Sequence, residues 1–135
     1  MRRYVIIGSG AAGLSAAEAI RGRDPNASIQ IITDDPYGYY SRPGLAYYLA
    51  GEVPQDALYP YNDAYYRSLN LHILKEGVSR FNPAEHNVHL SSGRILPYDR
   101  LLVATGATAT LPDTPGVNLE GVVTFDSMED TLHIM

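Results

Sequence analysis

Apolar residues in this chain fall into short blocks separated by segments rich in glycine, proline and aspartate. The first block, Val5, Ile6 and Ile7, is a continuous run without alternation, as in a parallel strand buried on both faces. An alanine-rich stretch at 11–21 follows and predicts a helix. Residues 22–28, GRDPNAS, read as a turn-rich linker punctuated by Pro25 and Asn26. SIQIIT at 28–33 predicts a second parallel strand. Residues 36–52 predict a loop and then a short helix near 44–49, and 53–61 is irregular around Pro54 and Pro60. Asn62 is placed to cap a helix reaching Leu69, with Tyr65, Tyr66 and Leu69 on its buried side. Residues 72–74 predict a third short strand.

Beyond it, 77–81 is extended, with Val78 and Phe81 as its apolar positions. NPAE at 82–85 is a turn. Val88 and Leu90 alternate around His89, SSGR at 91–94 is a hairpin turn, and 95–98 returns. These pieces make a small antiparallel insertion. LLVA at 101–104 again has the continuous pattern of a buried parallel strand. Residues 122–125 suggest one more strand. Residues 126–135 suggest a helix capped by Asp126 or Ser127. The sequence stops inside that helix, so truncation is the expectation. The fold class is therefore α/β and Rossmann-like, with three layers: a parallel core sheet, helix, and the small antiparallel insertion.

Between the first strand and the helix stand Gly8, Gly10 and Gly13, spaced G-x-G-x-x-G. The first glycine permits a tight turn, the second removes a side chain where a pyrophosphate must approach, and the third lets helix and sheet lie close. The amides and dipole at the start of the helix favour a phosphate. A Walker-type phosphate loop is disfavoured, because no Gly-Lys-Ser/Thr follows. Asp34 and Asp35 close the second strand, where a carboxylate accepts hydrogen bonds from a ribose hydroxyl pair and disfavours a 2′-phosphate. Asp35 is the slightly preferred of the two. Arg42, just before Pro43, is a cation placed either to balance the pyrophosphate or to pack on an adenine-side group. Seven of the eleven tyrosines lie between Tyr37 and Tyr61. They read either as a stacking surface or as amphipathic cover for the sheet edge.

Composition narrows the chemistry. The 135 residues suffice for one domain of ordinary size, 45% apolar and 19% charged. Fifteen acidic residues against ten basic ones give a net charge of -5, and no basic run exists, which excludes a nucleic-acid partner. No apolar stretch approaches a membrane span of about 20 residues, and the run from Met1 into the glycine turn does not have the pattern expected of a signal peptide. A cytoplasmic location is expected. The chain has no cysteine, so thiolate nucleophiles and disulfide chemistry are excluded within it. The four histidines lack a metal-ligand spacing. His86 and His89 are three apart, but in a turn entering a strand.

Three stretches together resemble the start of the two-dinucleotide-domain flavoproteins, the pyridine nucleotide-disulfide oxidoreductase family. They are YVIIGSGAAGLSAAEAIR at 4–21, DDPYGYYSRPGLAYYLAGE at 34–52, and LPYDRLLVATGATATLPDTPG at 96–116. YDRLLVATG at 98–106 is the most specific. The resemblance covers nearly the whole chain and implies that residues 1–135 are the N-terminal part of an FAD-binding domain. It implies that Gly8, Gly10, Ala11, Ala12 and Gly13 cradle the FAD pyrophosphate, and that Asp34 or Asp35 binds the adenosine ribose. It places Arg42 and Pro43 against the FAD near its ribitol and flavin, the Val78 backbone at the adenine, and Ala104, Thr105 and Gly106 beside the cofactor.

Some features depart from the family pattern. The place of a redox cysteine pair holds residues 43–48, without cysteine. Where ferredoxin reductases often carry Ser-Lys, Ala46 and Tyr47 stand here, and the Tyr-Tyr and Ala-Gly-Glu are closer to the nitrite-reductase-like branch. The family's second glycine turn, which binds NAD(P)H, and its returning Gly-Asp element do not occur in these 135 residues. The function implied is that of an NAD(P)H-dependent reductase passing electrons through FAD to a redox protein or small-molecule acceptor, with a homo-oligomer allowed. No residue stands out as a catalytic acid or base. The alternatives are an NAD-binding Rossmann dehydrogenase or sensor, and a non-catalytic FAD-domain subunit.

Overall fold

A computed structural model describes residues 1–135, all of the sequence. In chain order the elements are β1 (Arg3–Ile7), α1 (Ala11–Arg23), β2 (Ser28–Thr33), a 3-10 turn (Arg42–Gly44), α2 (Leu45–Leu49), a second 3-10 turn (Gln55–Leu58), α3 (Asp63–Ser68), β3 (Leu71–Lys75), β4 (Val78–Asn82), β5 (Asn87–Leu90), β6 (Ile95–Pro97), β7 (Arg100–Val103) and α4 (Met128–Ile134). They divide into two compact units. The first comprises 1–39 and 61–106, the second 40–60 and 107–135.

The first unit has three layers. Its middle is a parallel sheet in the order β3-β2-β1-β7. Alternation along β1 and β2 sends side chains to opposite faces. Ile6, Ile29 and Ile31 meet Ala17 of α1 on one face. Val5, Ile7 and Ile32 meet Val88, Leu90 and Tyr98 on the other, where the antiparallel sheet β4-β5-β6 forms the third layer. Ile6, Ile29 and Ile32 are wholly buried, each contributing about 1.5–3 kcal/mol. The α/β, three-layer expectation and the antiparallel insertion are both met.

Several boundaries and burials differ from the sequence reading. α1 continues to Arg23, with the Asp24 N–H bonding to Ile20 O at 2.7 Å. Its extension is held by Arg21, whose guanidinium donates to the carbonyls of Leu69 (2.8 Å), Pro25 (2.7 Å), Ala27 (2.9 Å) and Asn70 (3.2 Å). β7 is not a doubly buried strand. It lies at the sheet edge, and Leu102 and Val103 are 38% and 49% exposed. Only Leu101 and Ala104 pack inward, because α1 lies over β1 and β2 and leaves the outer strands half covered. Phe81 is likewise 46% exposed. On α3, which Asn62 caps through the Tyr65 N–H (3.0 Å), Tyr65, Tyr66 and Leu69 are half-buried rather than buried.

At the end of the sheet away from the glycine turn, Arg3 and Asp99 clasp β1 to β7. The Arg3 guanidinium donates to Asp99 Oδ1 at 2.9 Å and Oδ2 at 3.3 Å, and the Arg3 N–H to Oδ2 at 2.7 Å. These side-chain and backbone bonds from Arg3 hold the Asp99 carboxyl at about 2, below its ordinary 3.8. A depressed carboxyl pKa stabilises the fold above the unfolded value and ceases to do so as pH falls through the folded one. Asp99→Asn should therefore be less stable than the parent at pH 6. The gap should close as pH drops from about 4 to about 2, as urea titrations of both proteins will read. A gap independent of pH over that range would refute the assignment.

The second unit has its own packing. Tyr40 is 5% exposed, its hydroxyl accepts from the Met128 N–H at 2.9 Å, and its ring lies edge-on to Tyr59 at 6.3 Å. Residues 122–125 form no strand, since no neighbouring strand pairs with them. Instead Thr124 Oγ1 donates to Asp130 Oδ1 at 2.9 Å. Of the two expected caps, Ser127 is the one used. Its Oγ accepts from the Asp130 N–H at 3.0 Å, and Asp130 Oδ2 accepts from the Ser127 N–H at 3.2 Å, a complete capping box. A further bond from the Asp126 N–H (2.8 Å) is the main reason that the Asp130 carboxyl sits below the usual range. No helix is long and apolar enough to cross a membrane.

Candidate dinucleotide site

The site is built where β1 ends. β1 has β2 on one side and β7 on the other, so the chain leaves it at the point where strand order reverses, where open α/β sheets bind ligands. Gly8 is braced on both sides: its N–H bonds to Ile32 O (2.8 Å), while the Ala104 N–H bonds to Ile7 O (2.8 Å). Gly8 has φ +106°, and a Cβ there would strike the Ala104 carbonyl. At Gly13 a Cβ would strike the Gly8 carbonyl, so the turn and helix close directly on one another.

Gly10 is different. It is the N-cap of α1 with φ -73°, an ordinary conformation, and a Cβ there would meet nothing within 4 Å. No side chain caps α1 and no acidic residue occupies its first turn. The first amide that its ladder engages is Leu14, bonding to Gly10 O at 3.0 Å. The amides of Ala11, Ala12 and Gly13 are thus the unpaired donors of a helix start, with bare space beside Gly10. These residues fit a pyrophosphate: donors, a positive dipole end and room for anionic oxygens.

Beside this turn, the end of β2 is organised by Thr33, only 6% exposed. Its hydroxyl accepts from Ser9 Oγ (3.0 Å) and from the Asp35 N–H (3.2 Å), and its carbonyl from the Glu76 N–H (2.8 Å). Thr33 ties the glycine turn to the aspartate pair, a role that the sequence reading missed. The available signal was a hydroxyl closing β2 directly before two aspartates. Asp35 folds back, its Oδ1 accepting from the Tyr37 N–H at 2.8 Å. Asp34 is exposed and its carboxylate makes no hydrogen bond. Asp34 is therefore the freer of the two toward a ligand, opposite to the slight preference for Asp35. Lys75 Nζ donates to Pro36 O at 3.2 Å.

Ala104, Thr105 and Gly106 follow β7 and lie against Gly8 through Ala104 and Thr105, with Gly106 at φ +73°. Val78 opens β4, half-buried against the β-sheet cluster and paired with Leu90 just before a bulge. Gly8 to Gly13, the aspartates, Val78 and 104–106 thus share the first unit. Arg42 and Pro43 belong to the second. There Arg42 Nη1 donates to Asp126 O at 2.9 Å and pairs with its carboxylate at 3.3 Å. His86 stacks on Tyr98 at 5.4 Å, and His89 lies in β5.

Fold and glycine turn together define a dinucleotide-binding α/β protein. More narrowly, the chain belongs to the pyridine nucleotide-disulphide oxidoreductase family, whose sequence model matches residues 2–134. Members of this family use FAD and NAD(P)H. The chain is 35% identical over 128 residues to the biphenyl dioxygenase system ferredoxin–NAD(+) reductase component of Paraburkholderia xenovorans, covering 93% of this chain and 31% of that protein. Among solved structures, an NAD-dependent persulfide reductase from A. fulgidus superposes with TM-score 0.88 at 36% identity, over 98% of this chain and 26% of that one. A covalent putidaredoxin reductase–putidaredoxin complex gives TM-score 0.84 at 30% identity, over 98% and 33%. The chain spans about a third of the length of the curated relatives it matches.

Proposed function

We propose that this chain is the FAD-binding portion of an NAD(P)H-dependent flavoprotein oxidoreductase, which passes electrons to a redox protein or a small-molecule acceptor. The observation that carries the reading is the uncapped start of α1 beside the bare Gly10, at the sheet's reversal point. Family membership supports the choice of FAD over NAD at this turn.

In this proposal the amides of Ala11, Ala12 and Gly13 hold the pyrophosphate, and Asp34, with Asp35, receives the adenosine ribose hydroxyls. The Val78 backbone meets the adenine, 104–106 line the cofactor, and Arg42 and Pro43 lie toward its ribitol and flavin. FAD, when bound, supplies the redox chemistry by taking two electrons from reduced nicotinamide and handing them on. The protein's part is to bind and orient: this chain offers no cysteine for a dithiol relay. NAD(P)H binding belongs to a domain outside residues 1–135, and a cytoplasmic setting is part of the proposal.

The test is to purify the full-length protein, release its cofactor with acid, and identify it by absorption spectrum and mass. FAD in near-stoichiometric amount, bleached on addition of NADH or NADPH, is the expected result. NAD released in its place, or a bound flavin that neither nicotinamide reduces, would overturn the proposal.

A further inference from the structure

Four tyrosines of the first unit form one continuous contact chain that the cofactor reading does not use. Tyr39 stacks on Tyr61 with ring centroids 5.6 Å apart and planes 27° apart. Tyr61 stacks on Tyr65 at 4.0 Å and 11°, and Tyr65 meets Tyr66 edge-on at 5.6 Å. The chain ends on α1, where the Tyr65 hydroxyl donates to Glu18 Oε1. Its other end is Tyr39, four residues beyond Asp35 in the loop that follows β2.

That loop carries the carboxylates read as the ribose acceptors, and it has no regular secondary structure of its own between 34 and 39. Its near end is set by Thr33 and by the Asp35 bond to the Tyr37 N–H. Lys75 holds its middle at Pro36 O. At its far end the loop is held by the stack of Tyr39 on Tyr61. Aromatic pairs contribute beyond their burial and fix ring geometry. Through Glu18, the same helix that offers its N-terminus to the pyrophosphate therefore also sets the far end of the ribose loop.

We infer that Glu18, Tyr65, Tyr61 and Tyr39 form a positioning chain that aligns the 34–39 loop with α1, so that the site distinguishes a ribose from a 2′-deoxyribose on an adenosine diphosphate. The inference rests on the dinucleotide reading above. These are positioning residues; none touches the nucleotide itself.

ADP and 2′-deoxy-ADP, titrated calorimetrically into the flavin-free full-length protein, separate the outcomes. The parent should bind ADP about tenfold more tightly than the deoxy form, the scale of one charge-assisted hydrogen bond. Tyr61→Leu, which breaks the stack at its centre, should bring that ratio to within about twofold of unity while leaving 2′-deoxy-ADP affinity nearly unchanged. Tyr65→Phe keeps the rings and loses the hydroxyl link to Glu18, and should give an intermediate ratio of about threefold; it also serves if Tyr61→Leu fails to fold. Tyr47→Leu, at an exposed ring outside the chain, should match the parent. A ratio unaltered by both variants, or equal weakening of both nucleotides, would overturn the inference, as would a parent that binds both nucleotides alike. A parent that binds neither nucleotide would instead overturn the dinucleotide reading beneath it.

Discussion

Gly8→Ala is expected to destabilise the protein by about 2–6 kcal/mol and to abolish cofactor retention. Two independent penalties combine there. The backbone sits at φ +106°, where a side chain is strained by about 1–3 kcal/mol. The new methyl would also strike the Ala104 carbonyl, and overpacking of a fixed backbone contact costs about another 1–3 kcal/mol. Neither neighbour can yield easily. Gly8 is bonded to β2 through Ile32 O, and Ala104 to β1 through Ile7 O, so relief of the clash breaks one of those bonds. Urea unfolding at pH 7 measures the effect as a lower midpoint at unchanged slope. A loss below about 1 kcal/mol would show that the strand-end contact is not needed for the fold.

Gly10→Ala should behave in the opposite way. Gly10 has an ordinary φ and a Cβ there meets nothing within 4 Å, so stability should change by no more than about 1 kcal/mol, the usual effect of alanine at an N-cap. The methyl instead enters the open space at the start of α1, where the proposed pyrophosphate would lie. An anion pushed away from even one of them loses a hydrogen bond to a charged group, about 1.5–3 kcal/mol, so FAD affinity should fall about tenfold or more. Flavin fluorescence titration of the apoprotein, beside urea unfolding of the same sample, reads both quantities. Unchanged affinity would remove the pyrophosphate from this turn. Together the two variants separate a glycine needed by the fold from a glycine needed by the ligand, within three residues of each other.

Much of the site was legible in the sequence because its requirements are local. G-x-G-x-x-G between a β-run and an alanine-rich helix constrains backbone and packing over six residues, and the structure has that turn. The cap of α4 is equally local, and of the two expected residues, Asp126 or Ser127, it is Ser127 that forms it, with Asp130. Burial was less legible. The aliphatic pattern of 101–104 suits a central strand, yet whether a strand is central depends on what pairs and packs beside it, and Leu102 and Val103 remain half exposed. Residues 122–125 have strand-like composition but no partner strand. Thr33 offered only the hint of a hydroxyl before two aspartates, since its function comes from meeting Ser9 across 24 residues of sequence. The tyrosines left two readings open, and the structure divides them: Tyr39 and Tyr61 stack, while Tyr40 is buried against Tyr59.

The sequence by itself determined the α/β alternation, the glycine turn and the family, because each rests on neighbouring residues whose conformational limits are intrinsic. Only the tertiary structure decided that a side chain at Gly8 or Gly13 would strike backbone while one at Gly10 meets open space, that Asp34 rather than Asp35 is unengaged, and that a chain of aromatic rings joins α1 to the loop after β2. Those outcomes depend on atoms brought together from distant positions, and such distances are set by the packing of whole layers, which residue order alone does not display.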